Sequence, residues 1–301
     1  MSYPKIELHV HLEGTVRPAA LLRFARRNGV ALPADSVEEL ARIYEFHDFR
    51  HFLDVWWMTT GALLTESDFR QVVVDYAAEA ASHGAVYLEG IFSPSEPASR
   101  GVSYEEVFAG YCDGAQQAWE SHGVRVRLTP DIVRGFPVEA ADETVRYAIA
   151  NAGRGIVGIG LGGPEGEYPP QLYQRAFARA RDGGLGSVPH AGEADGPASV
   201  RGALEYSALT GSGMASARRR TGACCASWPT AARCLTSARF LTCAPAWSAH
   251  WPSIRCRSCW PPESKPRSTR MIRPCSGTTS APSMRRHCVS GRRPCSATPR
   301  A

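Results

Sequence analysis

The strongest constraint on the fold is a regular alternation of strand-like and helix-like segments between residues 85 and 190. Short apolar runs typical of buried strands are separated by longer segments with apolar residues at helical spacing. The predicted strands are 85–92, 124–132, 156–161 and 185–190, and the predicted helices between them are 104–122, 138–152 and 170–182. This alternation favours a parallel sheet whose strands are joined by helical crossovers.

A further predicted strand, residues 6–10, precedes this alternation and brings the number of strand units to five. Helices are predicted between the first two strands, and the apolar segment 49–64 among them predicts a well-buried helix. The fold class that this order predicts is α/β, with the first five strand units of a (β/α)₈ barrel of the TIM type. A doubly wound sheet is the alternative, but no G-x-G-x-x-G motif opens a helix after the first strand.

Three histidines and one glutamate lie where predicted strands end. His9 and His11 end the first strand, and His190 ends the fifth, with Glu193 three residues later. Active-site residues of a barrel lie at the carboxyl ends of its strands, so three imidazoles could share one metal ion and leave a position for water. A metal lowers the pKa of such a water, and a neighbouring carboxyl can move protons. Alternatively, His190 is an ordinary strand-end histidine and Glu193 lies near the start of the next helix.

The composition changes sharply at about residue 205. Residues 1–205 hold 18 Lys+Arg and 28 Asp+Glu, a net charge of −10, whereas residues 206–301 hold 16 and one, a net of +15. Nine of the ten cysteines also lie after residue 205. The second segment contains no Asp, a single Val, and no helical or strand period. We therefore predict part of a barrel over 1–205 and, over 206–301, an irregular Arg/Cys/Ser/Pro-rich segment that forms no definite domain.

The basic segment raises a rival hypothesis from a different class of function. An Arg-rich segment poor in acidic residues could bind phosphates, which would make the chain a non-enzymatic protein with a nucleic-acid-binding tail. We consider nucleic acid the weaker prediction, and only Cys256 and Cys259 show C-x-x-C spacing. No apolar run is long enough to cross a membrane and no signal-peptide core follows Met1, so we expect a cytoplasmic protein without a membrane partner. The sequence does not predict an oligomeric state.

Three motifs resemble the adenosine deaminase family of metal-dependent barrel hydrolases. They are residues 9–15 (HVHLEGT), 160–165 (GLGGPE) and 190–193 (HAGE), and the resemblance extends over residues 5–205. It implies a barrel enzyme that hydrolytically deaminates an adenine-type purine and releases ammonia. A small aminopurine is the partner that the resemblance implies.

The resemblance also implies roles for individual residues. It implies one Zn²⁺ per chain, held by His9, His11 and His190. Glu193 would protonate the purine ring as hydroxide adds to C6 and ammonia leaves. The implied substrate contacts come from His11, from Glu13 and from the backbone N–H of Gly163.

Residue 13 departs from the pattern of adenosine-specific members of the family. Those members usually carry His-Leu-Asp-Gly, in which the Asp contacts the ribose, whereas this chain carries Glu13. The substitution resembles members that act on free adenine or on modified adenosines such as aminodeoxyfutalosine. The resemblance therefore implies an aminopurine more firmly than it implies adenosine.

Two later motifs of the family are missing after residue 205. The family pattern requires His-Gly after the sixth strand and Asp-Asp-Pro after the eighth, and neither occurs. With codons chosen within the degeneracy of the genetic code, a shift of one base turns residues 211–217 into Ile-Gly-His-Gly-Ile-Arg. The same shift turns residues 268–277 into Asn-Thr-Asp-Asp-Pro-Ala-Met-Phe-Gly. We interpret residues 206–301 as the product of a frameshift near Glu205, which would impair the activity of this chain.

Overall fold

The computed structural model of the protein describes residues 3–193 and 195–207. Apart from its first two residues, the predicted irregular segment 206–301 lies outside the described part. The described residues form a parallel five-stranded sheet. Its strands are β1 (Lys5–His11), β2 (Ala85–Phe92), β3 (Arg125–Val133), β4 (Gly158–Gly162) and β5 (Gly186–Pro189).

The order of the strands distinguishes between the two predicted architectures. Each strand pairs with the next one along the chain, in the order β1-β2-β3-β4-β5. A doubly wound sheet reverses its strand order at a switch point, and this order contains no reversal. The described part therefore has the architecture of the first five units of a (β/α)₈ barrel, which confirms that prediction and excludes the alternative.

Helices connect the strands at nearly the predicted positions. Thr65 and Ser103 begin two of the helices with capping boxes, in which the side chain of the capping residue and that of the third helical residue satisfy each other's backbone N–H groups. The helices are α1 (Pro18–Asn28), α2 (Val37–Ile43), α3 (Phe49–Gly61), α4 (Glu66–Ser82), α5 (Ser95–Ser99), α6 (Tyr104–His122), α7 (Val138–Ala150), α8 (Gln174–Asp182) and α9 (Pro197–Tyr206). Among them, none combines the length and the apolar character that crossing a membrane requires.

The core lies between the sheet and the helices that follow its strands. The ring of Phe92 at the end of β2 stacks on Tyr111 of α6, with ring centroids 4.2 Å apart. Gly114 allows α6 to pack closely on α4, because a Cβ there would lie 2.7 Å from the carbonyl oxygen of Arg70. The prediction that α3 is well buried is wrong in part. Leu53 and Trp57 are 37% and 50% exposed, because α3 packs on the turn after β1 and on α5 from one side.

Candidate active site

The three predicted metal ligands converge at the carboxyl ends of β1 and β5. The rings of His9 and His190 have centroids 4.5 Å apart, and His11 lies within 5.2 Å of both. Nε2 of His11 and Nε2 of His190 are separated by 3.1 Å. The two outermost strands of the sheet thus bring together, at their carboxyl ends, side chains that are 179 residues apart in the sequence.

A distortion of β1 helps to aim the first two histidines. Regular pairing with β2 is interrupted between Glu7 and Val10, and His9 has φ +67°, which lies in the left-handed region. A non-glycine residue in that region costs about 1–3 kcal/mol and persists where surrounding contacts hold it. The alternation of an ideal strand therefore does not by itself account for the convergence of His9 and His11. The irregular pairing redirects the side chain of His9, as bulges near active sites often do.

The arrangement of the three imidazoles fits a shared metal ion. One nitrogen from each ring lies within 4.8 Å of the others. Tetrahedral zinc with Zn–N distances of 2.0–2.1 Å separates its ligand nitrogens by about 3.3 Å, close to the distance between the Nε2 atoms of His11 and His190. Within the described part of the chain, the buried Nε2 of His9 has no hydrogen-bond partner. A metal would satisfy this nitrogen.

The electrostatic environment keeps two of these histidines neutral. Burial, with a smaller contribution from His190, lowers the pKa of His9 to about 3, and the same causes hold the pKa of His11 well below its ordinary value. Burial also acts to lower the pKa of His190, but Glu193 and Asp131 outweigh it and raise that pKa. Only neutral imidazoles bind metals, so His9 and His11 are ready to act as ligands at neutral pH.

The predicted acid–base residue lies beside the histidine cluster. Oε2 of Glu193 is 3.4 Å from Nδ1 of His190, and the Glu193 side chain is 40% exposed, whereas that of His190 is 6% exposed. Glu193 thus stands between a buried imidazole and solvent. This combination of an accessible carboxyl and a converging imidazole cluster suits proton transfer to a bound molecule.

Besides His11, the two other predicted substrate contacts occupy different surroundings. Glu13 is buried in the turn after β1, where its Oε1 accepts a hydrogen bond from the N–H of Ser93 at 2.7 Å. Burial raises the pKa of Glu13 to about 8, although the Ser93 N–H acts in the opposite direction. Gly163 is exposed after β4 and has φ +93°, and its carbonyl accepts a 3.4 Å hydrogen bond from Arg134. Their roles in binding a substrate stay predictions.

Comparison with known proteins identifies the family. The family model for adenosine deaminase matches residues 4–213 of the chain. The chain belongs to the adenosine deaminase family.

Two curated relatives align with about two thirds of the chain. The chain is 54% identical over 209 residues to an aminodeoxyfutalosine deaminase from Acidothermus cellulolyticus, covering 67% of this chain and 59% of the relative. It is 37% identical over 202 residues to an adenine deaminase from Bordetella parapertussis, covering 67% and 63%. The chain therefore spans about three fifths of the length of these relatives.

A solved structure supports the same fold. The crystal structure of an adenine deaminase from Arthrobacter aurescens superposes with a TM-score of 0.66 at 32% sequence identity. The superposition covers 71% of this chain and 66% of the other.

The site of this family member also contains a buried carboxyl that the sequence analysis did not identify. Asp131 at the end of β3 is 2% exposed, and burial raises its pKa to about 7 against the opposing effects of His190 and Arg134. Its position at a strand end is the signal that identified the histidines, so the same argument could have found it. Gly160 and Gly162 of β4 leave room for this carboxyl, since a Cβ on Gly162 would lie 2.8 Å from its Oδ2.

We expect Gly160→Ala to destabilise the protein, because the new Cβ would collide with Oδ1 of Asp131. Overfilling a packed site costs about 1–3 kcal/mol, so the urea midpoint of the full chain should fall accordingly. Gly153→Ala is the matched control, because a Cβ there meets nothing within 4 Å. Equal midpoints for the two variants would contradict the close packing of β4 on Asp131.

Proposed function

We propose that this chain derives from a metal-dependent hydrolase that deaminates an adenine-type purine and releases ammonia. The observation that carries the proposal is the convergence of His9, His11 and His190 with the carboxyl of Glu193 beside His190. The names of the relatives support the same class of reaction, since one is an aminodeoxyfutalosine deaminase and another an adenine deaminase. The proposed cofactor is one Zn²⁺ per chain, because three converging imidazoles suit that ion.

The proposed substrate is an aminopurine other than adenosine. Glu13 stands where adenosine-specific members usually carry Asp, and both named relatives act on other adenine-type compounds. A glutamic acid with a raised pKa can donate as well as accept a hydrogen bond. Aminodeoxyfutalosine and adenine are therefore the first substrates to test, with adenosine as the comparison.

Different residues of the chain have different roles in the proposed reaction. His9, His11 and His190 would hold the metal, which when bound lowers the pKa of water toward neutrality. Glu193 would act as the acid–base residue that delivers a proton to a ring nitrogen of the purine. The backbone N–H of Gly163 would donate a hydrogen bond to the purine.

We also propose that the activity is impaired in the chain as written, because of the frameshift near residue 205. The family match ends at residue 213, close to the change in composition, although the relatives are longer. This coincidence supports a slip in the coding sequence. The rival proposal, a non-enzymatic protein with a basic nucleic-acid-binding tail, predicts salt-sensitive DNA binding that is lost on deletion of residues 206–301.

Zinc binding tests the metal site without requiring activity. We expect the full chain, loaded with zinc and dialysed, to retain about one ion at the histidine cluster, and His11→Ala to weaken that binding by about 100-fold or more, since changes to outer partners alone cost 10- to 100-fold. His83→Ala is the control, because His83 is exposed on the surface. If His11→Ala retained as much zinc as the unchanged protein, the metal would be bound by other ligands and the proposed site would be wrong.

A further inference from the structure

The loop between β5 and α9 carries two of the proposed functional residues outside any regular element. Its described residues are 190–193, which include Glu193, and 195–196. Buried backbone groups in such a loop need hydrogen-bond partners from elsewhere in the protein. The geometry of His190 and Glu193 therefore depends on the groups that hold this backbone.

The first of these groups is the carboxylate of Glu165, on the loop after β4. Glu165 is only 4% exposed, and its carboxylate accepts hydrogen bonds from the N–H groups of Gly192, Glu193 and Asp195, the last two at 2.9 and 3.0 Å. The hydroxyl of Ser199, in the first turn of α9, also donates to it. Bonds to a carboxylate are stronger than neutral ones, and an anion is favoured at the start of a helix.

The second group is the guanidinium of Arg134, which follows β3. It is 2% exposed, and its Nη2 donates to the carbonyl of His190 at 2.8 Å. Its other nitrogens donate to the carbonyls of Leu161, Gly163 and Tyr168. Arg134 thus ties the end of β5 to the end of β4 through carbonyl groups, whereas Glu165 ties the following residues through N–H groups.

We propose that Glu165 and Arg134 are positioning residues that fix the loop carrying His190 and Glu193 from its two sides. Their opposite charges compensate each other within the buried site, which removes much of the cost of burying each alone. The side chain of Glu193 is 40% exposed, so the hydrogen bond from its backbone N–H to Glu165 helps to set its place. The functional part of this proposal rests on the proposed deamination, but the ordering of the loop does not.

The test compares charge with shape at residue 165. Glu165→Gln keeps the size of the side chain but places an amide group among donors, whereas Glu165→Asp keeps the carboxylate with a shorter reach. In the full chain, we expect amide hydrogen exchange at Gly192, Glu193 and Asp195 to accelerate by about tenfold or more in Glu165→Gln and by less in Glu165→Asp. The β2–β3 amides should exchange as in the unchanged protein.

Glu167→Gln is the matched control, because Glu167 is exposed two residues along the same loop. If Glu165→Gln does not fold, Ser199→Ala removes a single donor and should accelerate exchange at the same amides by about threefold. Protection in Glu165→Gln equal to that of the unchanged protein, or lost equally throughout the sheet, would overturn the proposal. Selective loosening of the loop, together with no deaminase activity in the frame-restored protein, would leave the positioning role intact and refute only the proposed function.

Discussion

Insertion of one base near codon 205 is expected to raise the deaminase activity of the gene product by about a thousandfold or more. In the shifted frame, residues 211–217 become a segment containing His-Gly, and residues 268–277 become one containing Asp-Asp-Pro. By the family resemblance, these supply the histidine that orients the hydroxide and a carboxylate for the metal. Each preorganised group of this kind contributes about 10²–10³-fold, so the loss of both leaves little catalysis.

The measurement is ammonia release from adenine, aminodeoxyfutalosine and adenosine by the one-base and two-base insertion products. The two-base product is the matched control, because it disturbs the same codon and enters the third frame. Sequencing the coding DNA across codons 200–215 tests the slip directly. Activity that is unchanged by the one-base insertion, with metal bound in both proteins, would contradict the frameshift.

The fold of the described part followed from periodicity where its elements are long or strongly apolar. The predicted strand 85–92 and the predicted helix 104–122 coincide with β2 and α6, and both elements bury apolar residues in the core. α5 escaped prediction because five residues are too few to show a helical period. α9 begins with Pro197 and has a mixture of small residues, so its apolar stripe is weak in the sequence.

The candidate site could be predicted only where a metal-binding or proton-transferring side chain lies at the end of a predicted strand. His9, His11, His190 and Glu193 carry side chains with obvious chemistry at those ends. The positive φ of His9 accompanies the irregular pairing of β1 with β2. Pairing with a distant strand cannot be predicted from the local sequence around His9. The roles of Arg134 and Glu165 depend on contacts with residues 56 and 27 positions away, so the sequence gives their identity but not their partners.

Glu193→Gln in the frame-restored protein is expected to lower kcat by about 10²–10⁴-fold, because an amide of the same size cannot hold and deliver a proton. The change should leave zinc content and KM nearly as they were. The three imidazoles converge on one another, and the amide oxygen of a glutamine can still face Nδ1 of His190 as Oε2 of Glu193 does. Initial rates across a range of aminopurine concentrations, with zinc measured on the same samples, separate kcat from KM and from metal loss.

Asp195→Asn supplies the comparison for Glu193→Gln, because Asp195 is an exposed carboxyl two residues later on the same loop. Its side chain accepts a hydrogen bond from the N–H of Gly196, which an amide oxygen can also accept, so kcat should change less than about threefold. If both variants lose activity alike, the loop needs its overall negative charge rather than one proton carrier. If Glu193→Gln retains activity, the proton that reaches the purine ring comes from another group, and Asp131, buried near His190, becomes the carboxyl to test.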